Sequence, residues 1–193
     1  AAACANRCAG IPLFVFSSDM VSDGLKGNDV ESGPVNPAGM YAETKAAAEN
    51  IVLANSKHTG IRTSLNGGVS PTGDRGFNEQ LRRAFQEGKR LTLFTDEFRC
   101  PIPAVVPARV VWELSAQNRP GLYPVAGAER RSRWQMGRLV AERWPQLNPQ
   151  IVPESRRDYH GPPRPPDSSL NCGKIQKLLS FPLPGLSEWL AAQ

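Results

Sequence analysis

Residues 11–24, IPLFVFSSDMVSDG, open with six consecutive apolar side chains and then turn polar at two serines and an aspartate. A short apolar run without alternation is what a strand covered on both faces looks like, and such strands belong to parallel sheets. The expected strand is 11–16, with Ser17, Ser18 and Asp19 at its carboxyl end. A loop carrying Gly24, Gly27, Gly33, Pro34 and Pro37 follows, then a segment rich in Ala, Glu and Lys that reads as a helix over about 38–56. After Gly60 comes IRTSLN, a second strand over 61–66. Strand, helix, strand is the unit of a layered α/β fold.

Working outward, the stretch AAACANRCAG before the first strand predicts a helix over 1–10. Downstream, a glycine-rich stretch at 67–76 reads as an ordinary flexible loop, since it has neither the G-x-G-x-x-G spacing nor the G-K-[ST] ending that cradles phosphate, Asp74 standing where Lys would be. Helices are expected near 77–87, 108–117 and 132–144, with strands at 91–94 and 121–127 and a short one around Ile151. A Pro-rich loop at 161–167 precedes two short helices near 171–179 and 186–192.

Composition narrows the function classes. With 40% hydrophobic residues and 17 glycines in 193, the chain has the make-up of a globular domain. No apolar run approaches the ~20 residues of a bilayer-crossing helix, and no signal peptide is apparent. The expectation is a soluble, cytoplasmic protein. The net charge of +5 is unevenly placed: residues 1–118 hold 12 basic and 12 acidic side chains, whereas 119–193 hold 11 and 6. These arginines are scattered among prolines and tryptophans with no helical stripe, which suits a small anionic ligand better than nucleic acid. Cys4 and Cys8 are four apart, but neither His58 nor His160 stands at zinc-like spacing, so no metal site is expected. The cysteines are read as reduced thiols.

Tyr41-Ala-Glu-Thr-Lys45 places a phenol and an ammonium one helical turn apart on the same face. A phenol titrates near pH ~10, and a neighbouring cation favours its charged form, which suits it to proton exchange nearer neutrality. Alone the pair reads better as a solvated helix face than as a catalytic one. Its context gives it meaning: Ser17 and Ser18 lie at a strand's carboxyl end, where ligands bind in open parallel sheets, and the tyrosine helix is the next element.

The combination resembles the short-chain dehydrogenase/reductase superfamily and, within its extended branch, the dTDP-4-dehydrorhamnose reductases and the similar regulatory β subunits of methionine adenosyltransferase. SSDMVSDG (17–24) is similar to S-T-D-Y-V-F-D-G, VNPAGMYAETKAAAE (35–49) to N-P-x-x-x-Y-G-x-T-K-x-x-x-E, and IRTSLNGG (61–68) to the R-T-S-W-V-Y-G strand. GLYPVAG (121–127) looks like G-x-Y-H-x-x-G, and RPPDSSLN (164–171) like R-P-x-N-S-x-L-D.

The resemblance implies an α/β fold, an incomplete Rossmann-like doubly wound parallel sheet with a smaller α+β substrate-binding part. Residues 1–68, with 105–127 packed back on them, would be the C-terminal half of a cofactor domain, and 69–104 with 128–193 the substrate part. It implies an oxidoreductase using NADP(H), with NAD(H) as the alternative, on a nucleotide-linked keto-sugar. Ser18, Tyr41 and Lys45 would be catalytic; Ser17, Tyr41, Lys45, Ser64, Leu65 and Asn66 would border the cofactor; Asp19 and Met20 would meet the sugar; Arg164 would take the diphosphate, supported by Asp167.

The departures are specific. Met20 stands for a Tyr, Ser22 for a Phe, Leu65 for a Trp, Asn171 for an Asp, and Val106 for an acidic residue. The family also runs longer at the amino end, where its glycine-rich turn binds the dinucleotide. A parallel sheet lacking those strands would show an unpaired edge. Two expectations follow from this: a partner polypeptide, or a homodimer, completes the fold, or the chain is a fragment with vestigial chemistry. The alternative function is a non-catalytic regulatory or interaction protein.

Overall fold

A computed structural model of the chain describes residues 10–162 and 164–193. The helix expected over 1–10, with Cys4 and Cys8, lies outside the described residues apart from Gly10. In chain order, the strand β1 is Phe14–Ser18, the helix α1 Met40–Leu53, β2 Thr59–Thr63, β3 Asn66–Gly67, α2 Phe77–Gln86, β4 Arg90–Phe94, β5 Phe98–Arg99, β6 Ile102–Pro103 and α3 Val105–Ala116. There follow β7 Gly121–Val125, β8 Arg131–Ser132, α4 Arg133–Arg143, β9 Gln150–Glu154, α5 Gly173–Gln176 and α6 Leu186–Ala191.

β1, β2 and β7 form a parallel sheet in that spatial order, with Ser17 beside Arg62, Ser18 beside Thr63, and Thr63 beside Val125. Among the described residues β1 pairs on one side only. Ile61, Tyr123 and Val125 of the sheet bury one face against Val110 and Leu114 of α3, Ile102, Ile175 and Leu183. Across the opposite face, Arg62 of β2 meets Glu49 of α1 in a buried pair, with Nε and Nη2 donating to the two carboxylate oxygens at 2.9 and 2.8 Å. A second core joins Phe77 and Phe85 of α2, Met136 and Val140 of α4, and Leu186 and Leu190 of α6. Beside it β4 and β9 make a separate parallel pair.

Several boundaries differ from the sequence expectation for physical reasons. The first strand continues through Ser17 and Ser18, because their backbones stay in register with Arg62 and Thr63. The second begins at Thr59 and stops at Thr63, where the chain turns off to make the β3–β6 bridge. α3 starts at Val105, ahead of the expected 108, with Pro107 inside its first turn. A proline in the first turn removes no helical hydrogen bond, since the first four N–H groups have no intrahelical partner. The loop 67–76, read as unconstrained, is stitched to α2. Asn78 accepts from the Gly68 N–H at 2.9 Å and donates to the Gly68 carbonyl at 3.0 Å, while Glu79 accepts from the N–H groups of Ser70 and Gly76 at 2.7 and 2.8 Å.

Candidate functional site

The carboxyl ends of β1 and β2 and the first turn of α1 open on one cleft of about 430 Å³. Ser18, Asp19, Met20, Tyr41, Ser64, Leu65 and Asn66 all border it. The register of the sheet accounts for this: Ser18 and Thr63 are neighbours, so the residues that follow each of them leave the sheet side by side. Gly39, at φ 100°, turns the chain into α1 in a conformation that side chains disfavour, and Tyr41 follows in the first turn, 60% exposed.

Around Tyr41 the donors are placed but not exhausted. The Lys45 Nζ lies 5.8 Å from the Tyr41 ring centroid and donates to the Phe16 carbonyl at 3.0 Å, so β1 itself anchors it and two of its three N–H bonds are taken by none of the described residues. The buried Ser18 hydroxyl accepts from the Met20 N–H and donates to Asp19 Oδ1, each at 3.2 Å. Both contacts are long for hydroxyl hydrogen bonds, so the proton can turn to a ligand oxygen at small loss. On the same strand the buried Ser17 hydroxyl has no partner among the described residues.

Asp19, assigned to the sugar by resemblance, is 1% exposed and densely bonded. Its oxygens accept from Arg99 Nη1 at 2.7 and 2.9 Å, and from the Ser64 hydroxyl at 2.7 Å. Arg99 also reaches Met20 Sδ at 2.7 Å. Asp19 thus ties the end of β1 both to the loop after β2 and to β5.

Arg164 and Asp167 do not border this cleft. Arg164 holds Glu97, which is 2% exposed, by contacts of 2.5 and 3.1 Å. It lines a neighbouring cavity of about 340 Å³ with Phe94 and Tyr159. Asp167 pairs with Arg130 at 2.8 Å, and its backbone N–H donates to the Gly24 carbonyl at 2.7 Å. Its carboxylate also fills the place that a side chain at Gly27, φ 67°, would take. Its observed work is to clamp the loop after β1 to the segment 165–171.

The sequence reading missed Arg75, Phe77, Gln80, Arg99 and Arg133, which complete the cleft wall. Only the basic excess near the C-terminus hinted at Arg133; Arg75 and Arg99 lie in the charge-balanced part. A separate cavity of about 460 Å³ lies elsewhere, between Ala126, Leu170, Cys100 and Cys172. Burial pushes the Cys172 thiol up to about 12 and raises Cys100 as well, so neither is a poised nucleophile. No cluster of three or more His, Cys, Asp or Glu side chains able to hold a metal occurs among the described residues, and none of their helices is long and apolar enough to cross a membrane.

A family model described as the RmlD substrate binding domain matches residues 1–192. The chain belongs to that family. The dTDP-4-dehydrorhamnose reductase of Sinorhizobium fredii is 25% identical over 192 residues, 93% of this chain and 64% of that protein. The methionine adenosyltransferase 2 subunit beta of Xenopus tropicalis is 24% identical over 183 residues, 90% of this chain and 55% of that protein. This RmlD-family chain therefore spans less than two thirds of the length of the curated relatives it matches. The dTDP-4-dehydrorhamnose reductase of Bacillus anthracis, solved in complex with NADP, superposes with a TM-score of 0.82 at 20% identity, over 99% of this chain and 70% of that one. At that identity the likeness establishes the fold, an α/β architecture with a parallel sheet of Rossmann type.

Proposed function

We propose that this chain carries the proton-delivering and substrate-binding portion of an NADP(H)-dependent reductase of nucleotide-linked keto-sugars. The observation that carries the reading is the convergence of Ser18 and Tyr41 on one cleft with Lys45 beside the phenol. Family membership and the two reductase relatives support the reaction class.

The residues at and beside the cleft fit the ribose and nicotinamide end of such a cofactor: an exposed phenol on its border, Lys45 next to that phenol with N–H bonds that no described residue takes, and the buried Ser17 hydroxyl, unpartnered among the described residues. When bound, the cofactor supplies the hydride. The protein's part is to hold the substrate oxygen and move one proton. Ser18 turns its hydroxyl from Asp19 to the substrate oxygen and fixes its position. Tyr41 gives its proton to that oxygen as negative charge develops there. Lys45, held at the Phe16 carbonyl, stabilises the charge left on Tyr41 and keeps the ring in place. Arg99 keeps the Asp19 carboxylate neutralised, so that no free anion faces the developing charge on the substrate.

Titration of the chain with NADPH, with and without a dTDP-linked 4-keto-6-deoxysugar, tests the reading. Saturable binding of both, followed by loss of NADPH absorbance, is expected. A folded chain that binds neither would refute it and favour an interaction role.

A further inference from the structure

Arg133, the first residue of α4, stands where three cavities meet. Its side chain borders the cleft of about 430 Å³, the cavity of about 340 Å³ beside Phe94, and an apolar pocket of about 180 Å³ lined by Phe77, Leu81, Leu91 and Met136. The charges around it are unequally shared. Arg99 is neutralised by Asp19. Arg164 takes both oxygens of Glu97, which leaves Arg133 at 3.9 Å from the same carboxylate, beyond hydrogen-bond reach. Arg75, which also borders the cleft, has no ion pair among the described residues. Two arginines therefore border the same cleft with no acceptor within hydrogen-bond distance of either guanidinium among the described residues.

The surroundings of Arg133 disfavour its charge. Desolvation lowers its pKa; Glu97 works against that, and the cations of Arg99 and Arg164 add to it. A ligand anion at this point would offset the desolvation and the repulsion from Arg99 and Arg164. The amino end of an 11-residue helix adds its own positive potential.

We propose that Arg133, with Arg75, anchors the diphosphate of the ligand, while Arg164 serves Glu97 and the fold. The reacting end of that ligand lies at Ser18 and Tyr41, and its organic end enters the apolar pocket of Phe77, Leu81, Leu91 and Met136. Only the identity of the reacting end rests on the reductase reading; the anion site stands on the charges and cavities alone.

Calorimetric titration of the whole chain with inorganic pyrophosphate tests the assignment without cofactor or turnover. R133M should weaken binding by roughly tenfold or more, the value of a lost charge-assisted contact, and R164M by a smaller factor. Should R133M fail to fold, as judged by circular dichroism, R133K carries the test: it keeps the charge but not the fork and should lose affinity measurably. No binding by the wild-type chain, no loss in the Arg133 variant used, or a loss in R164M as large as in R133M would overturn the proposal. Y41F should bind pyrophosphate like the wild type, so a failed reductase reading and a failed anion site give different results.

Discussion

Glu49 and Arg62 pair across 13 residues, inside the single unit β1–α1–β2, whereas Asp19 and Arg99 pair across 80, from the end of β1 to β5. Both carboxylates are almost fully buried and both receive a guanidinium at under 3 Å. The first pair fastens a helix to its own sheet, on the face away from the core of Ile61 and Val110. The second fastens the strand end that carries Ser18 to the arginine-bearing wall. The same chemistry thus assembles the unit in one place and closes the cleft in the other, and substitutions separate the two roles.

Glu49→Gln is expected to give the largest loss of stability, about 3–5 kcal/mol, because it leaves Arg62 charged and buried without a counter-ion. Urea unfolding measures it. Arg99→Met should destabilise by a similar or smaller amount, since Ser64 and Ser18 still donate to Asp19. It should also change the cleft: with Asp19 unneutralised, affinity for inorganic pyrophosphate should fall, whereas Glu49→Gln should leave it unchanged in the folded protein. Equal effects of the two variants on the cleft would erase the distinction between the pairs.

How much of this was legible in the sequence follows the same division. Ser18, Tyr41 and Lys45 lie within a strand and the helix after it, where apolar runs and a four-residue spacing carry direct geometric meaning, and the structure brings Ser18 and Tyr41 to one cavity with Lys45 near the phenol. The wall was not legible. Arg99 lies on a two-residue strand, too short for any periodicity, and Arg133 meets the cleft only because β8 pairs with β5 and starts α4 there. The resemblance pointed to Arg164 for the diphosphate, but a local motif cannot show that a buried Glu97, 67 residues away, already holds that guanidinium. In the same way Pro107 masked the true start of α3, because a proline's position within a helix decides whether it breaks it.

Acid should loosen the wall and its loop before the sheet. In Glu79, Asp96 and Glu129, burial tends to raise the carboxyl, and hydrogen bonds outweigh it: from Ser70, Gly76 and Arg75 to Glu79, from Arg156 and Ser155 to Asp96, and from Arg131 and Ser187 to Glu129. All three are held below the ordinary range in the folded state. Their stabilising effect is therefore complete above the unfolded carboxyl range and is lost as pH falls through it to the lowered folded values. Hydrogen exchange from pH 5 downward should show protection lost first at the N–H groups of Ser70, Gly76 and Arg156, before those of β2. A smaller effect is expected at Cys172: with its thiol pushed up to about 12, iodoacetamide should alkylate it far more slowly than a free thiol at pH 8.

The proton-donating role proposed for Tyr41 is tested most directly by the rate at which the chain oxidises NADPH in the presence of the keto-sugar nucleotide, compared between wild type and Tyr41→Phe. The account expects the wild type to turn over and the variant to be slower by roughly 10²–10⁴-fold, the usual contribution of a positioned general acid, with NADPH affinity little changed. Equal rates in the two proteins would contradict it.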